Sequence, residues 1–386
     1  MADAVAPRSR PRGRRRGQGL RRAAQAVIRT GELRALTGAR GIAAWLVVFY
    51  HLRQSLPPVP AWVMAVLDKG YLAVDFFFVL SGFVIALSWG ARFDRERWQA
   101  APLFLRRRFA RVWPLHAVVL TGGVGLALLL WVTGRHDPVT YPFVDLPIHY
   151  LLIQNWGFAY LAWNEPAWSI SAESFAYLMF PALVFALRLE RRRTATLLLL
   201  SGGLIALQAG VFAVRGVWTL GQFIPQLGLI RCVTGFTLGM LVFRLFARRG
   251  RHPALAGSAT AVVAATLALG FAGLAETLVA PTGFAALVLL LALTAGRRNN
   301  PLETAVLHRL GEWSYATYLA HFLMWKAFKL AFVHAPGPVE WPLIALYAAM
   351  VLLASALLYH FVELPAQAWI NRPRRTGTPK GAPALR

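Results

Sequence analysis

Cysteine is nearly absent from this sequence: Cys232, inside an apolar stretch, is the single one among 386 residues. One thiol can form neither an intrachain disulfide nor a cysteine metal cluster. Charged residues are also scarce, since they make up 15% of the chain, whereas soluble domains have about 25%. With 57% hydrophobic residues and a mean hydropathy of +0.51, the composition excludes an ordinary soluble domain and predicts a polytopic membrane protein.

Acidic residues are the scarcer of the two charge types. The chain has 16 Asp and Glu against 41 Lys and Arg, which gives a formal net charge of +25. In a soluble protein such an excess would suggest nucleic-acid binding. Here the basic residues lie between apolar stretches, so membrane topology and anionic membrane lipid account for them, and we expect no nucleic-acid partner.

The N-terminal residues lack the apolar core of a cleavable signal peptide. We therefore expect residues 1–34 to form a disordered, basic cytoplasmic tail. Alternating ten-residue strands are absent too, which leaves helices as the elements that cross the membrane. Hydropathy predicts an all-α polytopic membrane protein of about ten transmembrane helices in one domain, residues 35–366, followed by a basic cytoplasmic tail, residues 367–386. The expected spans are 36–56, 71–90, 113–133, 167–188, 195–214, 222–246, 254–274, 278–296, 310–333 and 341–362.

The distribution of basic residues over the loops supports these spans. With the N-terminus inside, 33 of the 41 Lys and Arg lie in inner segments, 4 lie in outer loops and 4 lie within spans. Cytoplasmic loops of membrane proteins carry such an excess of basic residues. The distribution therefore predicts that both termini are cytoplasmic.

The first span carries two residues that lipid disfavours, Arg40 and His51. An Arg at the centre of a membrane helix costs at least about 2.5–3.5 kcal/mol, so such residues usually face a protein interior or a wet cavity. Eleven residues at about 100° each bring both side chains to one helix face, roughly 16 Å apart along the axis. The pair therefore predicts a functional cavity beside this helix.

Two carboxylates are expected at the same depth as His51. Asp75 lies near the outer end of the second span, and Glu173 lies in the outer third of the fourth. An imidazole oriented by a carboxylate suits a general base. It equally suits the proton relay of a transporter. No ligand spacing indicates a metal site, and we expect none.

Arg108 and Arg111 lie on one helical face just before Pro114, at the expected inner membrane edge. Arginines at such a place bind phosphates through bidentate contacts, although membrane topology alone would also put them there. In the second span, Ser81 and Gly82 are small enough to admit either a neighbouring helix or a ligand.

A long outer segment, residues 133–166, is rich in aromatic residues and proline. We expect it to fold back at the interface and to cover a cavity. In the ninth span, Tyr318 and His321 are one helical turn apart and therefore share a face.

Six short motifs follow one another along the chain. In this order they resemble the acyltransferase-3 family of bacterial integral membrane acyltransferases. Two positions depart from that family: Ala73 stands where glycine is usual, and Ser-Phe-Ala-Tyr follows Glu173 where Glu-Gln-Phe-Tyr is commoner. The motifs are Arg40 with His51 after ten intervening residues, Asp75-x-Phe-Phe with Ser81–Gly82, Arg108-x-x-Arg111-x-x-Pro114, Trp168-Ser-Ile-Ser-Ala-Glu173, Gly311-x-x-Ser314-Tyr315-x-x-Tyr318-Leu319-x-His321, and Glu363-x-Pro365.

The resemblance implies the transfer of an acyl group, often acetyl, from cytosolic acyl-CoA to a hydroxyl of an acceptor. Acceptors in such families include glycans, glycolipids and macrolide sugars. The implied location is the cytoplasmic membrane of a bacterium. Because only a short tail follows Glu363, we expect the stand-alone form of the family, without the SGNH-hydrolase domain that some members carry.

The resemblance also suggests roles for the site residues. His51 would be the general base, oriented by Glu173 or Asp75. Arg108 and Arg111 would bind the phosphates of acyl-CoA, with Arg40 further along the cavity. Four residues in two of these motifs, together with Ser81, are expected to bind substrate: Trp168, Ser169, Tyr318 and His321.

Two other functions fit the same residues. A proton-coupled transporter or flippase would use the buried carboxylates. A structural membrane subunit would use its arginine-rich loops to dock a partner. Within the enzyme hypothesis, direct transfer and an acyl-histidine intermediate both remain open.

Overall fold

The computed structural model describes residues 33–250, 253–297, 299–334 and 336–372. Within these residues every regular element is helical. Of the expected tails, residues 1–32 and 373–386 lie outside the described residues. The start of the second tail, residues 367–370, belongs to a short helix, Leu364–Ile370. The ten helices of at least 18 residues are α1 (Arg34–Leu52), α2 (Ala73–Glu96), α3 (Ala101–Val132), α4 (Ala167–Leu187), α5 (Thr194–Val214), α6 (Ile224–Arg249), α7 (Pro253–Phe271), α8 (Glu276–Thr294), α9 (Ala305–Phe332) and α10 (Trp341–Leu358).

Each long helix overlaps one of the expected spans. By length and composition, eight helical stretches could cross a membrane, and one of them, Ala61–Val132, contains both α2 and α3. Helix α9 lies outside these eight stretches and carries Lys326 and Lys329 within its second half. The prediction of an all-α multi-pass membrane fold is confirmed, whereas the side on which the termini lie stays a prediction.

Helix α3 begins earlier than the expected span, at Ala101, and runs for 32 residues. Arg108 and Arg111 therefore lie on the helix itself and not in a loop before it. Pro114 is inside α3 and does not end it, because neighbouring groups satisfy the backbone that a proline leaves free in membrane helices. As a result both arginines are held at fixed positions on a long rigid element.

Small residues bring two pairs of helices into backbone contact. Gly311 of α9 packs against α1 so closely that a Cβ atom there would overlap the carbonyl group of Thr37. Between α2 and α6, a Cβ at Gly82 would overlap the carbonyl group of Phe236. Such close approach is typical of helix association in membranes. Of the Ser81–Gly82 pair, the glycine thus serves helix packing.

The outer segment 133–166 lies against the bundle. His116 Nε2 of α3 lies 2.8 Å from the carbonyl oxygen of His149. Further along, Asn164 Nδ2 donates to the carbonyl oxygen of Leu319 in α9 at 2.8 Å. These contacts fix the segment over α3 and α9, as expected for an element that folds back over the helices.

Candidate active site

Five helices, α1 to α4 and α9, surround a cavity. Its empty volume, counted together with its open mouth, is about 860 Å³. Seven of the eleven residues singled out in the sequence line this cavity: Arg40, Ser81, Arg108, Arg111, Ser169, Glu173 and Tyr318.

Three guanidinium groups line one end of the cavity, because Arg40, Arg108 and Arg111 all lie in the first halves of α1 and α3. The Arg111 guanidinium contacts the carboxylate of Glu363, which follows α10. The Nε atom of Arg108 is buried and has no hydrogen-bond partner among the described residues. A buried donor without a partner is costly. This end of the cavity is therefore suited to an anion.

The other end of the cavity is formed by Tyr318. Its hydroxyl group lies 2.7 Å from Ser169 Oγ and donates to the carbonyl oxygen of Pro166 at 3.0 Å. Both partners belong to the start of α4, so this contact ties α9 to α4. The Tyr318 ring centroid is 6.1 Å from that of His321, which places the end of the cavity beside a histidine.

His321 forms a pair with His51. The distance between His51 Nδ1 and His321 Nε2 is 3.2 Å, and the ring centroids are 5.0 Å apart. His321 is 1% exposed, and the Tyr347 hydroxyl donates to its backbone carbonyl at 2.6 Å. His51 is half-buried and packs edge-on against Phe322. The pair thus joins α1 and α9 beside Tyr318, and neither histidine lines the cavity.

The hydrogen bonds around the pair fix which nitrogens carry protons. His321 Nδ1 lies 3.1 Å from the carbonyl oxygen of Thr317 and must donate to it, so in a neutral ring its Nε2 accepts. His51 Nδ1 faces that acceptor and, at 2.9 Å, the carbonyl oxygen of Val47, so it also carries a proton. The Nε2 atom of His51 then keeps its lone pair and can accept a proton from substrate.

Asp75 is not placed where the sequence analysis expected it. Both of its carboxylate oxygens accept hydrogen bonds from Arg231 of α6, at 2.7 and 2.6 Å. Arg231 is 2% exposed and also donates to the carbonyl oxygens of Leu220 and Tyr71. The guanidinium takes both oxygens in a bidentate contact, so Asp75 does not orient His51. The expectation of a carboxylate next to the base is wrong for this residue.

Glu173 lines the cavity together with Ser81 and Tyr177. The side chain that is hydrogen-bonded to His51 is the His321 ring. An imidazole therefore lies where the sequence analysis expected a carboxylate. Trp168, like Asp75, does not line the cavity. Its ring lies 5.3 Å from the Arg231 guanidinium. Its face covers the buried Arg231–Asp75 pair, as a cation–π contact does.

Sequence reasoning missed one residue that lines this cavity and a set of buried amides outside it. Tyr177, one turn beyond Glu173, reaches the cavity wall, and its one-turn spacing from Glu173 was the available signal. A set of buried amides in the outer segment was missed as well, because aromatic residues dominate that stretch. Among the described residues, no group of three or more His, Cys, Asp or Glu side chains is arranged to hold a metal ion.

Comparison with known proteins gives the chain a family. Residues 33–360 match the acyltransferase-3 family model, which describes an acyltransferase domain. The chain is 30% identical to Acyltransferase MdmB of Streptomyces mycarofaciens, over 91% of this chain and 95% of that protein. It is also 30% identical to Protein 2 in the picA locus of Rhizobium radiobacter, over 46% of this chain and 94% of that protein.

A third relative is a provisionally named O-acetyltransferase of Staphylococcus aureus strain COL. It is 24% identical over 86% of this chain, and the match spans 56% of that protein. No solved structure matches this chain. The family match covers all ten long helices in full and ends at residue 360, shortly after α10. The chain therefore belongs to the acyltransferase-3 family and is a multi-pass membrane acyltransferase.

Proposed function

We propose that this protein moves an acyl group from acyl-CoA to a hydroxyl group of an acceptor, with His51 as the general base. The observation that carries the proposal is the His51–His321 hydrogen bond, which lies next to Tyr318 of the arginine-lined cavity. The arginines of the cavity suit a polyanion, and the histidine pair beside it offers a base with a free lone pair. An acyl-CoA requires both features along one path.

The arginine end would bind the phosphates of acyl-CoA. Arg108 offers a buried N–H without a partner, and a phosphate oxygen would accept from it. Arg40 lies about 16 Å along the α1 axis from His51, so a flexible chain anchored at Arg40 can extend toward the histidine pair. With the N-terminus in the cytoplasm, as the loop charges predict, this end faces the cytosol. The donor is an acyl-CoA, with acetyl-CoA as the simplest one to test.

The histidine end would carry the chemistry. His51 Nε2 accepts the proton of the acceptor hydroxyl while the hydroxyl oxygen attacks the thioester carbonyl carbon. The carbon–sulfur bond breaks, an ester forms, and the proton passes from His51 to the departing CoA sulfur. His321 positions the ring by accepting from His51 Nδ1.

Tyr318 stands between the arginine-lined cavity and the histidine pair. It lines the cavity and lies beside His321, so the thioester must pass its ring to reach His51. Ser169 holds the Tyr318 hydroxyl, and these two residues would therefore set the width of the path. The acceptor would be a glycan, a glycolipid or a macrolide-type sugar, in keeping with the family.

The experiment is acetyl-CoA turnover by the purified protein in detergent, with free CoA measured by a thiol reagent. His51→Ala should slow CoA release by about 10²–10⁴-fold, the usual contribution of a general base, without changing acetyl-CoA binding. His334→Ala, at an exposed histidine outside the cavity, is the matched control. Release by His51→Ala at the wild-type rate would refute the assignment.

A further inference from the structure

Glu173 takes no part in the hydrogen bonds of the His51–His321 pair, among the residues that the structure describes. It is the single acidic residue among the described residues that line the arginine-lined cavity. The arginines of this cavity suit an anion, and a carboxylate in the same wall would repel that anion at close range. Glu173 must therefore face a part of the bound molecule that carries no negative charge.

The level of Glu173 in the cavity follows from two helices. On α4, Glu173 comes four residues after Ser169, whose hydroxyl group contacts that of Tyr318; four residues span about 6 Å of a helix. On α2, Ser81 comes four residues after Phe77, whose ring centroid is 6.0 Å from that of Tyr318. Both Glu173 and Ser81 thus lie one helical turn from the residue that contacts Tyr318.

Tyr177 shows in which direction this turn leads. It lies one further turn along α4, and its hydroxyl group interacts with the side chains of Glu173 and Ser81 and with the charge of Arg108. Glu173 therefore lies between Tyr318 and Arg108. Its side chain is half-buried and reaches the cavity. A carboxylate has about four acceptor sites, so Glu173 can accept from a ligand as well as from Tyr177.

The part of an acyl-CoA that meets Glu173 must be neutral and must donate hydrogen bonds. The phosphates only accept, and the thioester has no donor. The pantetheine arm joins these two parts and carries amide N–H groups, the nearer of which is separated from the sulfur by two methylene groups. When the thioester passes Tyr318, this N–H group comes close to the level of Glu173.

We propose that Glu173 recognises the pantetheine arm of the donor by accepting a hydrogen bond from the amide N–H group nearest the thioester, an inference that rests on the proposed function for the identity of the donor. Tyr177 positions the carboxylate. Glu173 then serves donor binding and not the orientation of His51. Because the pantetheine arm is otherwise flexible, this one contact would hold the thioester at a fixed depth in the cavity.

The test compares S-acetonylpantetheine, a stable thioether, with an analogue in which an ester oxygen replaces that one N–H group. The two molecules have the same length and lack phosphate, so the arginines contribute equally to the binding of both. Each competes with radiolabelled CoA for the purified wild-type protein in detergent, and no turnover is required. The amide should bind at least about tenfold more tightly than the ester, the size of a hydrogen bond to a charged group. Equal binding of the two analogues, or no competition by either, would overturn the proposal.

The variant Glu173→Gln locates the contact. A glutamine amide can accept from the N–H group and can also donate to the ester oxygen, so this variant should bind the two analogues about equally. Tyr177→Phe removes the hydroxyl that positions the carboxylate, and its preference for the amide should be intermediate. Exposed Glu340→Gln is the control and should keep the wild-type preference. A purely structural role of Glu173 would weaken both analogues by the same factor, and that result would overturn the proposal.

His51-dependent CoA release, measured on the same samples, separates this contact from the proposed function. If the wild type prefers the amide and Glu173→Gln does not, while CoA release does not depend on His51, the general base is wrongly assigned and the pantetheine contact stands. If release depends on His51 while the wild type shows no preference for the amide, the contact is refuted and the base stands. No binding of labelled CoA would refute acyl-CoA as the donor, and the pantetheine contact with it.

Discussion

The side chains of His51 and His321 are hydrogen-bonded to each other across 270 positions of the chain, with Nδ1 of the first 3.2 Å from Nε2 of the second. His321 therefore takes the place of the carboxylate that orients the histidine base in a Ser-His-Asp triad. A neutral imidazole fits a site that is almost fully enclosed, because an unpaired carboxylate there would be a costly buried charge.

Replacing His321 should slow turnover without weakening donor binding. His321→Phe removes the acceptor for His51 Nδ1, so kcat should fall by tenfold or more while KM for acetyl-CoA stays unchanged. The loss of one hydrogen bond that orients a catalytic group is of about this size. His321→Gln keeps an acceptor oxygen and should restore part of the rate. Steady-state kinetics on both variants measure this, and equal losses in the two would indicate a packing role only.

Arg108 should contribute to binding only through the phosphates of the donor. Arg108→Gln removes the guanidinium with the unpaired buried Nε atom, so KM for acetyl-CoA should rise by about 10–100-fold, as for a hydrogen bond to a charged group. The same variant should use S-acetylpantetheine, which has no phosphate, as well as the wild type does. Exposed Arg106→Gln is the control. A rise in KM for both substrates would contradict phosphate binding.

The Asp75–Arg231 pair should hold the fold together. Arg231→Leu leaves the buried carboxylate without its partner, which typically costs about 3–5 kcal/mol. The double variant Asp75→Asn/Arg231→Leu should recover a large part of that loss, because no buried charge remains. Thermal unfolding of the detergent-solubilised proteins gives the comparison. If the double variant lost as much stability as the single variants Asp75→Asn and Arg231→Leu lose together, the pair would not act as a unit.

The contact between α1 and α9 should tolerate no added carbon atom. A Cβ at Gly311 would overlap the Thr37 carbonyl, so Gly311→Ala should lower both the yield of folded protein and its melting temperature. Gly202→Ala in α5 has open space around the new methyl group and should leave stability unchanged or raise it slightly, since alanine favours a helix by about 1 kcal/mol over glycine. A stable Gly311→Ala variant would contradict the observed helix contact.

The sequence predicted those features that depend on one helix at a time. Each long helix of the described residues overlaps a span that hydropathy predicted, although α9 is not among the eight stretches that could cross a membrane. The spacing of Arg40 and His51 predicted a cavity beside α1, and Arg40 lines one while His51 does not. Features that depend on two helices were not predictable in the same way. Asp75 and Arg231 lie 156 residues apart, and hydropathy does not state which of ten helices are neighbours. That choice depends on backbone contacts such as those of Gly82 and Gly311.

The amides of the outer segment illustrate the same limit. Gln154, Asn155 and Asn164 stand among aromatic residues, and each could be an ordinary loop residue. Their NH₂ groups bind carbonyls of three different helical segments, so their burial becomes visible only in the folded protein. Polar residues in an aromatic-rich stretch were the available signal, and that signal does not distinguish buried amides from those of an exposed loop.

The glycine contact between α1 and α9 has a consequence for how the enzyme works. His51 and His321 are carried by these two helices, and main-chain atoms already touch where Gly311 meets Thr37, so the helices cannot move closer. In the proposed mechanism the general base and its orienting partner are thus preorganised before any substrate arrives. The rate of the chemical step then depends on how substrates reach a fixed centre.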